Sequence, residues 1–172
     1  MTPKTIILAV AICIALIVIV QKTRAQAHVE NNAFDHVLST LLAHSVPEID
    51  VNQAAADSNA VLLDAREKPE YTVSHIADAT WVGYDDFTLD RVSHIPKDTP
   101  VIVYCSVGYR SEKITEQLRK AGYTQVSNMY GGIFEWVNTD KPVVDDTGAP
   151  TKKVHAYSKS WAIWLSKGEK VY

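Results

Sequence analysis

The sequence predicts an α/β fold in which a parallel five-stranded sheet is flanked by helices and preceded by an N-terminal apolar helix. Three observations carry this expectation. Val61-Leu62-Leu63 and Val101-Ile102-Val103-Tyr104 are short continuous apolar runs, the second rich in β-branched residues, as a strand covered on both faces requires. Segments with apolar residues at helical spacing alternate with such runs, which implies right-handed crossovers between parallel strands. Residues 5–21 hold 17 positions without a charge or a polar face, the lower edge of a membrane-spanning length.

Taken in order, residues 28–33 read as a linker. Phe34, Val37, Leu38, Leu41 and Leu42 then repeat at helical spacing and predict a helix ending near Ser45, ahead of Pro47. Ile49 and Val51 suggest a first strand, with Asn52 capping a short helix through Gln53 and three alanines. The second strand, 61–63, runs into Asp64-Ala65-Arg66, and a short helix follows around Pro69-Glu70-Tyr71. Residues 79–82 make a third strand and 84–92 a helical turn and loop. The fourth strand is 101–104. A helix over 111–121, capped by Ser111, places Ile114, Leu118 and Ala121 on one face. Residues 126–129 form the fifth strand, and Gly131-Gly132 breaks the chain before a last helix at 133–137. The domain so defined spans 46–140, behind a linker and helix at 28–45, and the turn-rich run after Asp140 marks its edge. In the tail, 141–172, Val154, Tyr157, Trp161, Trp164 and Leu165 fall on one helical stripe. That stripe is expected to pack on the domain rather than lie on a membrane surface.

Charge and cysteine usage exclude several classes of function. The net charge of −3 hides +3 in residues 1–27 and +4 in 151–172, which leaves the middle at −10 and argues against nucleic acid as a partner. Of two cysteines, Cys13 lies in the apolar run, so Cys105 has no disulfide partner in the domain. No Cys/His pairing has metal-ligand spacing, so no metal site is expected. Residues 1–27 read as a membrane-targeting segment, with Lys4 ahead of the apolar run and Ala25-Gln26-Ala27 behind it. Lys22 and Arg24 stand between the run and that small-x-small site. They favour an uncleaved anchor in a cell membrane or envelope, while the signal-like order of basic start, apolar run and Ala-x-Ala leads to the expectation of a domain on the extracytoplasmic side. Cleavage after Ala27, giving a periplasmic domain, is the alternative.

The chemistry concentrates at Cys105, which ends the fourth strand facing a helix N-terminus. Open α/β sheets place their sites there, and unpaired N–H groups favour a thiolate. Ser106 to Arg110 are expected to curl between cysteine and helix, with Gly108 permitting the turn, so that inward N–H groups form an anion nest. Arg110 would add a cation near the rim. Because Arg110 is the fifth residue after Cys105, the pattern is C-x4-R. A phosphate-gripping loop of the C-x5-R kind is one residue longer, and the smaller ring suits one terminal sulfur.

The stretch CSVGYRS resembles the active loop C-x-x-G-x-R-S of single-domain rhodaneses, which are sulfurtransferases. VLLDAREKPEYTVSHIADATWV is similar to that family's D-x-R-x-x-x-E-[FY]-x-x-x-H-I-x-x-A segment, and YGGIFEW to its G-G-x-x-x-W close. The resemblance covers residues 46–140. It implies that Cys105 takes the outer sulfur of a small donor such as thiosulfate as a persulfide and passes it to a thiol or cyanide-like acceptor, with no cofactor. Ser106, Val107, Gly108, Tyr109, Arg110 and Ser111 would bind the substrate sulfur through their backbone. Asp64 and Arg66 would support neighbouring loops, His75 would be structural, and Trp136 would belong to the core. Two positions depart from the family: Ser106 stands where arginine is common, and Asp78 where glycine is usual. Both weigh against thiosulfate as the natural donor. A carrier module presenting Cys105 to a partner protein is the alternative, ahead of a phosphatase or arsenate reductase.

Overall fold

The computed structural model describes residues 27–172. The apolar run 5–21 and the Ala25-Gln26-Ala27 site, apart from Ala27 itself, lie outside the described residues. Among the described residues, no helix is long and apolar enough to cross a membrane.

The first helix, α1 (Asn32–Leu41), is capped by Asn31, whose side chain accepts from the N–H groups of Ala33 and Phe34. It ends four residues before the expected Ser45. The stretch read as a linker is tied down. Val29 is buried, its N–H donates to Asp35 Oδ1, and the Glu30 N–H donates to Glu135 Oε1 at 2.7 Å. After α1 the chain is held by Glu112, whose buried carboxylate accepts from the N–H groups of Ala43 and Ser45.

Strand β1 (Glu48–Ile49) stops one residue short of α2 (Val51–Ala56), which takes the predicted strand residue Val51 as its first position. The cap is Asp50 rather than Asn52: its carboxylate accepts from the Asn52 and Gln53 N–H groups while the Gln53 side chain reaches back. Next come β2 (Val61–Asp64), α3 (Lys68–Val73), β3 (Thr80–Trp81) and a 3₁₀ turn at Leu89–Val92. Then follow β4 (Val101–Tyr104), α4 (Tyr109–Lys120), β5 (Val126–Met129) and α5 (Gly132–Asn138). The sheet order is β1-β5-β4-β2-β3, with every neighbouring pair parallel.

Alternation along β4 divides the core. Ile102 and Tyr104 join Phe34, Leu38, Met129 and Phe134 on one face, while Val101 and Val103 join Leu63, Ile114, Leu118 and Val126 on the other. With both faces covered, the continuous apolar strands are accounted for.

The tail is not the expected helix. Two short antiparallel strands, β6 (Val143–Val144) and β7 (Pro150–Thr151), precede β8 (Lys153–His155), a 3₁₀ turn (Ala162–Trp164) and β9 (Glu169–Val171), which pairs in parallel with β8. Val154, Ala162 and Leu165 are buried, and Trp164 stacks on Phe34 with ring centroids 5.3 Å apart. β8 lies beside α3, which carries the tail toward the carboxyl edge of the sheet.

Candidate active site

Cys105 follows the last residue of β4 at the carboxyl end of the central strand of the sheet. Its side chain lies at the floor of a cleft of about 290 Å³ and is only 1% exposed. The loop between cysteine and helix is shorter than the sequence suggests. Only Ser106, Val107 and Gly108 intervene, and α4 begins at Tyr109, so Tyr109, Arg110 and Ser111 are its first turn. Ser111 is therefore not the cap. Gly108 occupies that position at φ 119°, ψ −18°, a conformation that glycine adopts without a Cβ penalty. Ser111 Oγ instead donates to Asn128 Oδ1 at 2.7 Å, and Asn128 Nδ2 donates to the Gly108 carbonyl. Asn128, fully buried on β5, thus fixes the turn.

Backbone polarity makes the cradle. The Gly108 N–H donates to Cys105 Sγ at 3.2 Å. Among the described residues, the N–H groups of Ser106, Val107, Tyr109, Arg110 and Ser111 have no hydrogen-bond acceptor. The carbonyls point the other way. Cys105 O accepts from the Ile133 N–H at 2.9 Å and Ser106 O from the Phe134 N–H at 3.1 Å, so the first turn of α5 holds the loop carbonyls away from the cleft. Gly132 makes that approach possible: at φ 55°, a Cβ there would sit 2.4 Å from Cys105 O. The Gly131-Gly132 pair thus permits both the turn and the contact.

Arg110 is not a free cation at the rim. Its Nη1 donates to Glu70 Oε2 at 2.6 Å and its Nη2 to Glu70 Oε1 at 2.8 Å and to Ser106 Oγ at 2.9 Å. Ser106 Oγ in turn donates to Glu70 Oε1. Burial alone would raise the Glu70 carboxyl, but the hydrogen bonds and charge of Arg110, with Arg66 nearby, hold it below the ordinary carboxylate range. The outer face of the guanidinium meets the Tyr157 ring, 5.0 Å from Cζ to centroid.

Asp64 and Arg66 form a second pair behind the site. Arg66 Nη2 donates to Asp64 Oδ2 and to the Ser74 carbonyl, each at 2.6 Å, and the Arg66 N–H closes the turn on Asp64 Oδ1. His75 stacks on Tyr71 with centroids 3.8 Å apart and exchanges backbone hydrogen bonds with Val144. It does not line the cleft. Trp136 is buried, with its Nε1 donating to the Pro142 carbonyl. Asp78 adopts φ 62°, the left-handed conformation for which a glycine would be the ordinary choice and which aspartate tolerates.

Sequence reasoning did not single out several residues at the site. Glu70 lies in a quoted motif, and a lone acid forty positions from the loop arginine carried no sign of their pairing. Asn128 did leave a trace, as a polar residue between apolar Val126 and Met129 in a short strand. Leu41, Glu67, Tyr84 and Asp85 line the cleft from other segments, and Tyr157 and Trp161 line it from the tail. Among the described residues no cluster of three or more His, Cys, Asp or Glu could hold a metal ion.

The model of the rhodanese-like domain family matches residues 49–139, which contain the five-stranded sheet from its second residue and the whole Cys105 loop. A sulfurtransferase of Allochromatium vinosum is 37% identical over 107 residues, covering 60% of this chain and 99% of that protein. A tRNA uridine(34) hydroxylase of Sodalis glossinidius is 29% identical over 64% of this chain, but the match spans 32% of the hydroxylase. In fold, the rhodanese-like domain of an Anabaena protein superposes with a TM-score of 0.53 at 23% identity, covering 58% of this chain and 79% of that one. The tail from residue 140 onward lies beyond the family match. Fold, loop and matched segment agree, and the chain belongs to the rhodanese-like domain family.

Proposed function

We infer that the protein is a sulfurtransferase that moves a sulfane sulfur from a donor to a thiophilic acceptor through a persulfide on Cys105. The observation that carries this reading is the cradle: one buried thiol with Gly108 N–H on its sulfur, and five further N–H groups in the same loop and first helical turn with no acceptor among the described residues. A negative charge on sulfur is stabilised by such preorganised donors, as an oxyanion is in acyl transfer. The Cys105 thiolate attacks the outer sulfur of the donor, the donor's S–S bond breaks, and its remaining thiolate or sulfite leaves. In the second half-reaction a nucleophilic acceptor takes the outer sulfur and Cys105 returns to the thiolate. Such double displacement gives ping-pong kinetics.

The name of the Allochromatium vinosum relative supports the same reaction class. The three-residue connection from Cys105 to α4 supports sulfur over phosphate, since it leaves a tight ring over a nearly closed floor. Thiosulfate is one candidate donor. The test is intact mass after exposure to sulfane donors: the protein gains one sulfur, and Cys105→Ser gains none. A carrier module would also load but would show no turnover with small acceptor thiols. The same reading attaches the domain to a membrane through residues 5–21, with the domain on the extracytoplasmic side. Its check is retention in membranes after an alkaline wash, with an unprocessed N-terminus.

A further inference from the structure

The cleft above Cys105 is unsuited to a small dianion. Among the described residues Arg110 is the one cation that lines it, and that charge is committed to Glu70 by two hydrogen bonds, with Tyr157 over its face. Two carboxylates, Glu67 and Asp85, line the mouth. Neither has an ion-pair partner among the described residues. Besides Leu41, Ser106 and Val107, the remaining wall is aromatic, from Tyr84, Tyr109, Tyr157 and Trp161. Carboxylates beside aromatic faces attract organic cations and repel anions.

Two of those rings come from the tail, beyond the family match. Tyr157 is held at φ 61°, an unusual conformation for a bulky residue. Its N–H donates to His155 Nδ1 at 3.1 Å, and the residue stays 53% exposed with its ring over Arg110. Backbone strain that displays an exposed aromatic ring at a cleft points to a role in recognition.

Resting on the sulfurtransferase reading, we propose that the donor is an organic persulfide of an uncharged or cationic thiol, chosen by the Tyr157–Trp161 wall and the Glu67–Asp85 rim. The thiol's organic group lies against the aromatic wall while its outer sulfur reaches the floor. Cys105 Sγ bonds to the outer sulfur of R–S–SH and the donor's S–S bond breaks. The electron pair leaves on R–S⁻, which takes up a proton from water. The transferred sulfur keeps its oxidation level, so neither oxidant nor reductant is consumed.

The test uses the full-length protein and three persulfides of similar size: those of cysteamine (cationic), 2-mercaptoethanol (neutral) and 3-mercaptopropionate (anionic), with thiosulfate as a fourth donor. Loading of Cys105 is followed by mass, and kcat/KM is measured with a common acceptor. The cationic donor is expected to exceed the anionic one by about tenfold at low salt, with thiosulfate slowest, and the gap should narrow as ionic strength rises. In the variant combining Glu67→Gln and Asp85→Asn the cationic-to-anionic ratio falls toward one. In Trp161→Ala the organic donors slow relative to thiosulfate. These are ratios within one preparation, so a partly folded sample does not alter them. Equal rates across the three persulfides, or thiosulfate leading, overturns this inference alone. Failure of every donor to load Cys105 removes the sulfurtransferase reading with it.

Discussion

Arg66 grips Asp64 at 2.6 Å and Arg110 grips Glu70 at 2.6 Å, yet the two pairs work in different surroundings. The first is closed within a turn of three residues, with both side chains wholly excluded from solvent. It ties the end of β2 to the Ser74 carbonyl, and one guanidinium nitrogen, Nη1, has no hydrogen-bond partner. The second joins residues forty apart, borders the cleft, and includes the Ser106 hydroxyl. A fully desolvated pair is defined by what its loss leaves behind, because an uncompensated buried charge is costly. A pair at a cleft wall also decides what charge a ligand meets. Sequence proximity makes the first pair a local clamp; sequence distance makes the second a link between α3 and α4 that also offsets the Arg110 charge at the cleft wall.

The comparison breaks most sharply at Arg66. Arg66→Ala is expected to lower stability by about 3–5 kcal/mol, because Asp64 stays buried without its cation. Urea unfolding gives the value, and the double variant Asp64→Leu/Arg66→Met should lose less than either single change. Gly132→Ala tests a restraint made of backbone rather than charge. With a Cβ directed at Cys105 O from φ 55°, it should cost about 1–3 kcal/mol from conformation alone. The measured loss should exceed that, with persulfide loading falling alongside. Arg110→Ala should cost about 1–3 kcal/mol and slow anionic donors further by releasing the Glu70 charge into the cleft. Adding Glu70→Gln should recover most of that anion penalty, a rescue read in donor selectivity where the one at Arg66 is read in stability alone.

The smallest effect is on pH dependence. The folded Glu70 carboxyl is held below its unfolded value, so its contribution is present above about 4.3. It is lost as pH falls through the lower folded value. Acid titration of stability should therefore lose part of its slope in Glu70→Gln.

The strands, their order of appearance and the cysteine at the end of β4 were legible because continuous apolar runs and helical spacing are local signals. Caps were less so. Asn52 and Ser111 both satisfy the usual preference for a capping side chain, but Asp50 captured α2 and Gly108 took α4 by backbone conformation alone. The tail misled for a related reason. Its aromatic spacing has helical period, yet Lys153–His155 pairs with Glu169–Val171, a partnership between segments that no local pattern reveals. The same blindness to distant pairing hid Glu70 from Arg110, Asn128 from Ser111, and Tyr157 from the cleft.

The contact of α5 with the cysteine loop has a consequence in time. Because Cys105 O and Ser106 O are held by the Ile133 and Phe134 amides, the loop carbonyls can turn inward only when the first turn of α5 lets go. Reshaping of the sulfur cradle and exchange of those two amide hydrogens with solvent are therefore one opening event, governed by one local free energy. On the proposed sulfurtransferase reading, the lifetime of a Cys105 persulfide against stray nucleophiles would then be set partly by how rarely the start of α5, with amides 28 residues downstream of the carbonyls they hold, frays.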